Sequence, residues 1–143
     1  MEALRSIAPR LLRPFLWVLG GGLFAQGVLT VIILAFTHEV AQKTHGVLNH
    51  DARHGTLHII WGLAVLSLLR IGVGERGLAW AAVIFGLFYV TLGVLGIALH
   101  DPFGLQLGTG ENGFHFIIGP SALVVGGLTL WARAASAKIE LAM

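Results

Sequence analysis

The sequence predicts an all-α membrane protein of four transmembrane helices, and composition and hydropathy patterning carry that prediction. Of 143 residues, 56% are hydrophobic and 11% charged, whereas soluble domains carry about 25% charged residues. The apolar residues gather into four runs of roughly the length needed to cross about 30 Å of hydrocarbon as a helix. The 20 glycines fit the same picture, because small residues let helix backbones approach one another in a bilayer.

The first span is Pro14–Phe36, which holds no charged residue and starts with a proline suited to a first helical turn. Before it, residues 1–13 place Arg5, Arg10 and Arg13 among Leu4, Ile7, Leu11 and Leu12. That pattern reads either as a short basic amphipathic segment at the membrane surface or as a frayed N-terminus carrying positive-inside charges. A cleaved signal peptide would need a shorter apolar core and a small-residue cleavage site, and neither is evident. Thr37–Arg53 is a polar, histidine-rich connection. Residues 57–73 form the second span, and Gly74-Glu75-Arg76-Gly77 reads as a tight turn. Residues 78–99 form the third span. His100–Gly113 is a glycine-rich loop in which Asp101-Pro102-Phe103-Gly104 makes a turn. Residues 114–132 form the fourth span, with Pro120 as a kink, and residues 133–143 form a surface tail.

Flanking charge gives the orientation. With both termini on one side, that side holds Arg5, Arg10, Arg13, Arg70, Arg76, Arg133 and Lys138, against Lys43 and Arg53 on the other. Lys and Arg accumulate in cytoplasmic segments, so both termini are expected in the cytoplasm, with the chain in a bacterial inner membrane. Trp17, Trp80 and Trp131 fall at the inner ends of their spans, where indoles favour the interface. It follows that all 7 histidines belong to the outer side.

The chain also reads as a duplication. Gly22-Leu23-Phe24 in the first span recurs as Gly86-Leu87-Phe88 in the third. His58-x-x-x-Gly62 at the start of the second span recurs as His115-x-x-x-Gly119 at the start of the fourth. A unit of two spans returns the chain to its starting side, so its copy has the same orientation. The tandem helical hairpins, residues 14–73 and 78–132, are then expected to be related by a pseudo-twofold axis along the membrane normal. Asp51, His58 and Gly62 in one half, and Asn112, His115 and Gly119 in the other, resemble an uncharacterised family of small bacterial four-helix membrane proteins. The resemblance spans roughly Gly20–Leu130 and implies the fold but no activity.

Candidate chemistry concentrates in the histidines. His50, His54 and His58 fall on one helical stripe if their segment is helical, and could hold Zn or Cu, aided by Asp51 or Glu39. His58 and His115 could ligate a haem or a chlorophyll-type pigment, with Gly62 and Gly119 leaving room for a macrocycle. Against these stands the plainer expectation that His58 and His115 hydrogen-bond to loop backbone or to each other's hairpin, with no cofactor. Gln26, Thr30, Ser67, Tyr89, Thr91 and Ser121, the other polar residues inside spans, are expected to form interhelical hydrogen bonds.

Several classes of function are disfavoured. The spans hold no Asp, Glu or Lys at mid-depth, where ion and proton pathways place ionisable groups. There is no cysteine, so disulfides, iron–sulfur clusters and thiolate zinc sites are excluded. The basic residues are scattered, which excludes a nucleic-acid footprint, and no nucleotide loop, nucleophile motif or soluble substrate site is evident. The first expectation is therefore a non-enzymatic structural or accessory subunit, partnered by the lipid bilayer and other membrane proteins. The alternative is a haem-, pigment- or metal-binding membrane protein using the outer histidines.

Overall fold

The computed structural model describes residues 2–36, 51–99 and 101–140. Among them are four α-helices and no strand: α1 (Glu2–Phe36), α2 (Ala52–Arg70), α3 (Glu75–Leu99) and α4 (Thr109–Glu140), with a 3₁₀ turn at Pro102–Gly104. All four are long and apolar enough to cross a membrane. The fold is all-α, and the chain is a multi-pass integral membrane protein. Side chains such as Val18, Ile84 and Val124 face outward, as a hydrocarbon solvent permits.

Every helix is longer than its apolar run, for reasons local to each end. α1 continues without a break through Pro9 and Pro14, so residues 2–13 belong to the same helix as the first span. Its 35 residues make a rod of about 52 Å, well beyond the hydrocarbon thickness. Tertiary packing supports the extension: Ala8 and Leu12 are buried, and the Thr129 hydroxyl of α4, shared with the Val125 carbonyl at 2.8 Å, also reaches the Ala8 carbonyl at 3.3 Å. α2 begins at Ala52 because Asp51 caps it. Asp51 has extended backbone, its Oδ1 accepts from the Arg53 amide at 3.1 Å, and its carbonyl accepts from the Gly55 amide at 2.9 Å. This cap draws His54 into the helix, one turn before His58.

Glu75, Arg76 and Gly77 belong to the first turn of α3 rather than to a reversal, with the Leu78 amide donating to the Gly74 carbonyl at 3.0 Å. The chain reverses just before them, where Gly72 has φ +75°, a conformation that favours glycine. α4 begins at Thr109, ahead of the expected Phe114, and takes Glu111 and Asn112 into its first turns. It runs on through the expected tail to Glu140.

α1 packs along α2, and α3 along α4, giving two antiparallel hairpins. The hairpins meet mainly through α1 and α4, and α2 touches α3 much less. A strict twofold axis would make those two contacts alike, so the interface between the hairpins is lopsided. Within the hairpins, however, burial repeats. Leu12, Leu16, Leu19, Gly20, Leu23 and Gly27 are buried along α1; Leu78, Ala82, Phe85, Gly86, Tyr89 and Gly93, at identical spacing, are buried along α3. His54, His58, Gly62, Val65 and Leu69 on α2 match Glu111, His115, Gly119, Ala122 and Gly126 on α4 in the same way. This register pairs Gly20 with Gly86. It does not support the Gly-Leu-Phe match, because Gly22 and Leu87 are exposed whereas Gly86 and Leu23 are buried. The His-x-x-x-Gly match does share the buried register. A Cβ on Gly62 would meet the Phe24 amide nitrogen at 2.6 Å, and one on Gly119 would meet that of Val90 at 2.9 Å.

Candidate metal centre

The cap at Asp51 and the register of α2 place His54 and His58 on the buried face of that helix. The same register on α4 places His115 opposite them. All three are buried, at 3%, 3% and 0% exposure. The ring of His54 lies 4.4 Å from that of His58 and 5.5 Å from that of His115, centroid to centroid. One nitrogen from each ring falls in a group whose members are all within 4.8 Å of one another. Imidazole nitrogens on a tetrahedral zinc, each about 2.0–2.1 Å from the ion, are about 3.4 Å apart. Small ring rotations would therefore bring the three onto one ion.

The orientation of His58 is set from α1. The Gln26 amide nitrogen donates to the Thr30 hydroxyl at 3.4 Å, which leaves Gln26 Oε1 to accept from His58 Nδ1. With the proton on Nδ1, His58 Nε2 carries a lone pair. Among the described residues, that Nε2 atom is buried without a hydrogen-bond partner, as are Nε2 of His54 and both ring nitrogens of His115. Among the described residues, His58 bonds to its own hairpin rather than to the other one, and His115 has no hydrogen-bond partner. Asp51, expected as a possible partner for a ligating ring, caps α2 through Oδ1, and its Oδ2 is buried without a hydrogen-bond partner among the described residues.

An aromatic floor lies beneath the rings. Tyr89 stacks over His58 at 6.0 Å and meets His115 edge-on at 5.1 Å, and Phe85 stacks on Tyr89 at 4.2 Å. The Tyr89 hydroxyl is buried without a hydrogen-bond partner among the described residues. Buried Glu111 joins His54, His58 and Gln26 at one end of a cavity of about 350 Å³ between α1, α2 and α4.

The structure thus merges two sequence candidates: His54 and His58 from the histidine stripe, and His58 and His115 from the repeated motif. His50 and Glu39, the other members expected of the stripe site, lie outside the described residues, as do His38, His45 and His100. Glu111 and the role of Gln26 were not foreseen. Glu111 could have been found by extending the repeat one turn, since it occupies on α4 the position of His54 on α2. Of the polar residues expected to bridge helices, Gln26 does so. Ser121 instead donates to the Ile117 carbonyl of its own helix at 2.7 Å, and the unforeseen Thr129 donates to its own helix at the Val125 carbonyl, 2.8 Å, with the Ala8 carbonyl of α1 as a longer second acceptor at 3.3 Å. No protein-family model, curated protein or solved structure matches the chain.

Proposed function

We propose that this integral membrane protein binds a divalent transition metal ion through His54, His58 and His115. The observation that carries this reading is the set of unpartnered ring nitrogens packed around one point. A buried polar group left unsatisfied costs about 1–3 kcal/mol, so several converging on one space call for a shared partner. The Gln26–His58 bond adds support, because metal-ligating imidazoles characteristically give their second nitrogen to an oriented acceptor. An all-imidazole donor set suits Zn(II) or Cu(II), and the chain has no cysteine to favour softer ions. Three protein ligands would leave a coordination position for the Tyr89 hydroxyl, the Glu111 carboxylate or an exogenous oxygen.

A single ion fits these rings better than a macrocycle does. A haem held by His58 and His115 would have to lie between them, and the His54 ring stands beside both. The accessory-subunit reading gains no observation of its own, since outward-facing apolar side chains are what lipid alone requires.

The test is metal analysis of the detergent-purified protein, with an absorption spectrum. We expect one equivalent of Zn or Cu per chain, and its loss when all three histidines are replaced by Ala. Equal metal in the wild type and the triple variant would sink the reading. A Soret or pigment band lost in that variant would favour the macrocycle instead.

A further inference from the structure

The cavity beside the imidazoles has a direction. Its polar groups, Gln26, His54, His58 and Glu111, are at one end, and Phe15, Val18, Leu19 and Ile118 lie at the other. From Gln26 to Phe15 along α1 is about 16 Å at 1.5 Å per residue, with Gly22 and Leu23 between. α1 and α4 are tied together further along, where Thr129 donates to the Ala8 carbonyl. The slot thus lies between the same two helices on the histidine side of that tie. Val18 lines it and is 77% exposed, so the slot opens sideways on a face that lipid covers. Gly22 leaves its middle clear, because a Cβ there would meet nothing within 4 Å.

We propose that this slot takes a single-chain amphiphile from the bilayer and brings its oxygen-bearing head to His54 and His58, the two imidazoles of the centre that line it. A long apolar trough with lone pairs at one end matches an alkyl or isoprenoid chain ending in a hydroxyl. The chain replaces lipid contacts with slot contacts, and the hydroxyl donates to an imidazole nitrogen or completes the coordination of the ion. The substrate class of the centre is then bilayer-borne rather than water-borne. This inference rests on the metal-centre reading for the chemistry at the head and stands apart from it for the path of the chain.

The test uses the full chain in phosphatidylcholine nanodiscs with dodecanol carrying a terminal diazirine, photolysed and mapped by mass spectrometry. Labelling is expected at Phe15, Leu19 or Ile118, well above that at outward-facing Val124. Gly22→Leu fills the slot and should reduce the slot label to the Val124 level. Gly21→Leu is the control: a Cβ on Gly21 also meets nothing within 4 Å, and Gly21 is not among the residues lining the slot. It should leave the label unchanged. Slot labelling blocked by Gly22→Leu in a protein that proves to carry no metal supports the slot and removes the metal reading. Metal bound as expected, with label spread evenly over lipid-facing residues or indifferent to Gly22→Leu, overturns the slot and leaves the metal reading standing.

Discussion

The two hairpins share most of their buried positions and do different chemistry around them. Where α1 carries buried Leu23 and exposed Gln26, α3 carries buried Tyr89 and buried Leu92; where α2 carries His54 and His58, α4 carries Glu111 and His115. The first hairpin therefore supplies two imidazoles and the amide that orients one of them. The second supplies one imidazole, a carboxylate and a phenol. A compensated exchange marks the same layer. A Cβ on Gly55 of α2 would meet Thr30 of α1 at 2.9 Å, whereas in the second hairpin the small residue is Gly96 on α3, facing Asn112 of α4. Large and small have changed helices while the fit was kept. Packing positions along two contacting helices are coupled in pairs, and the groups facing a shared cavity are free to diverge.

The largest expected difference between the hairpins lies at Gly27 and its counterpart Gly93. A Cβ on Gly27 would stand 2.5 Å from the Gly55 carbonyl oxygen and 2.8 Å from the Ile59 amide nitrogen, both backbone atoms. A Cβ on Gly93 would meet only side-chain atoms of Phe116 and His115, at 3.2–3.3 Å. Overpacking typically costs about 1–3 kcal/mol, and backbone that cannot rotate away belongs at or above the top of that range. Gly27→Ala should lower the thermal unfolding midpoint in detergent by several degrees, and Gly93→Ala by clearly less. Equal losses would mean that the hairpins are equally tight and that the contrast drawn here is false.

A smaller effect should follow from giving the first hairpin the residue of the second at the orienting position. Gln26→Leu copies Leu92 and removes the acceptor of His58 Nδ1. Loss of such an outer partner typically weakens metal binding about 10- to 100-fold. Competition with a chromophoric chelator should show that weakening, and the metal-free protein should lose about 1–3 kcal/mol because the buried His58 Nδ1 is left without its acceptor. Unaltered affinity would show that Gln26 does not orient the ligand and that the hairpins differ less at the site than their sequences do.

How far these features were legible differs from residue to residue. Four spans follow from hydropathy, because lipid imposes one requirement on long stretches of backbone. Helix ends do not, since Asp51 capping α2, or Thr129 holding the start of α1, is decided by contacts rather than composition. His54, His58 and His115 were each visible as candidates. Their meeting needed the buried register of α2 and α4 to be known together, and the Gly22/Gly86 alignment points to a different register. The slot from Phe15 to Gln26 was not legible, because it exists only where α1 and α4 face each other across a gap.

The smallest contrast lies at the opposite end of the bundle. There the second hairpin is closed by an ion pair, Arg133 Nη1 to Glu75 Oε2 at 2.9 Å, with both side chains nearly half exposed. The first hairpin has no ion pair there among the described residues. Its Arg13 donates to the Val73 carbonyl at 3.4 Å, and the Arg70 guanidinium lies 5.4 Å from the centre of the Trp17 ring. Exposed ion pairs contribute about 0–1 kcal/mol and are screened by salt, whereas a cation over an indole contributes about 0.5–1 kcal/mol at exposed sites. Glu75→Gln should therefore lower the unfolding midpoint by no more than a degree or two at low ionic strength, and the difference should vanish near 1 M salt, where the screening length is about 3 Å. Trp17→Leu should produce a loss of similar size that persists in salt. A salt-dependent loss from Trp17→Leu, or a salt-independent one from Glu75→Gln, would show that the two ends are not held by the different forces assigned to them.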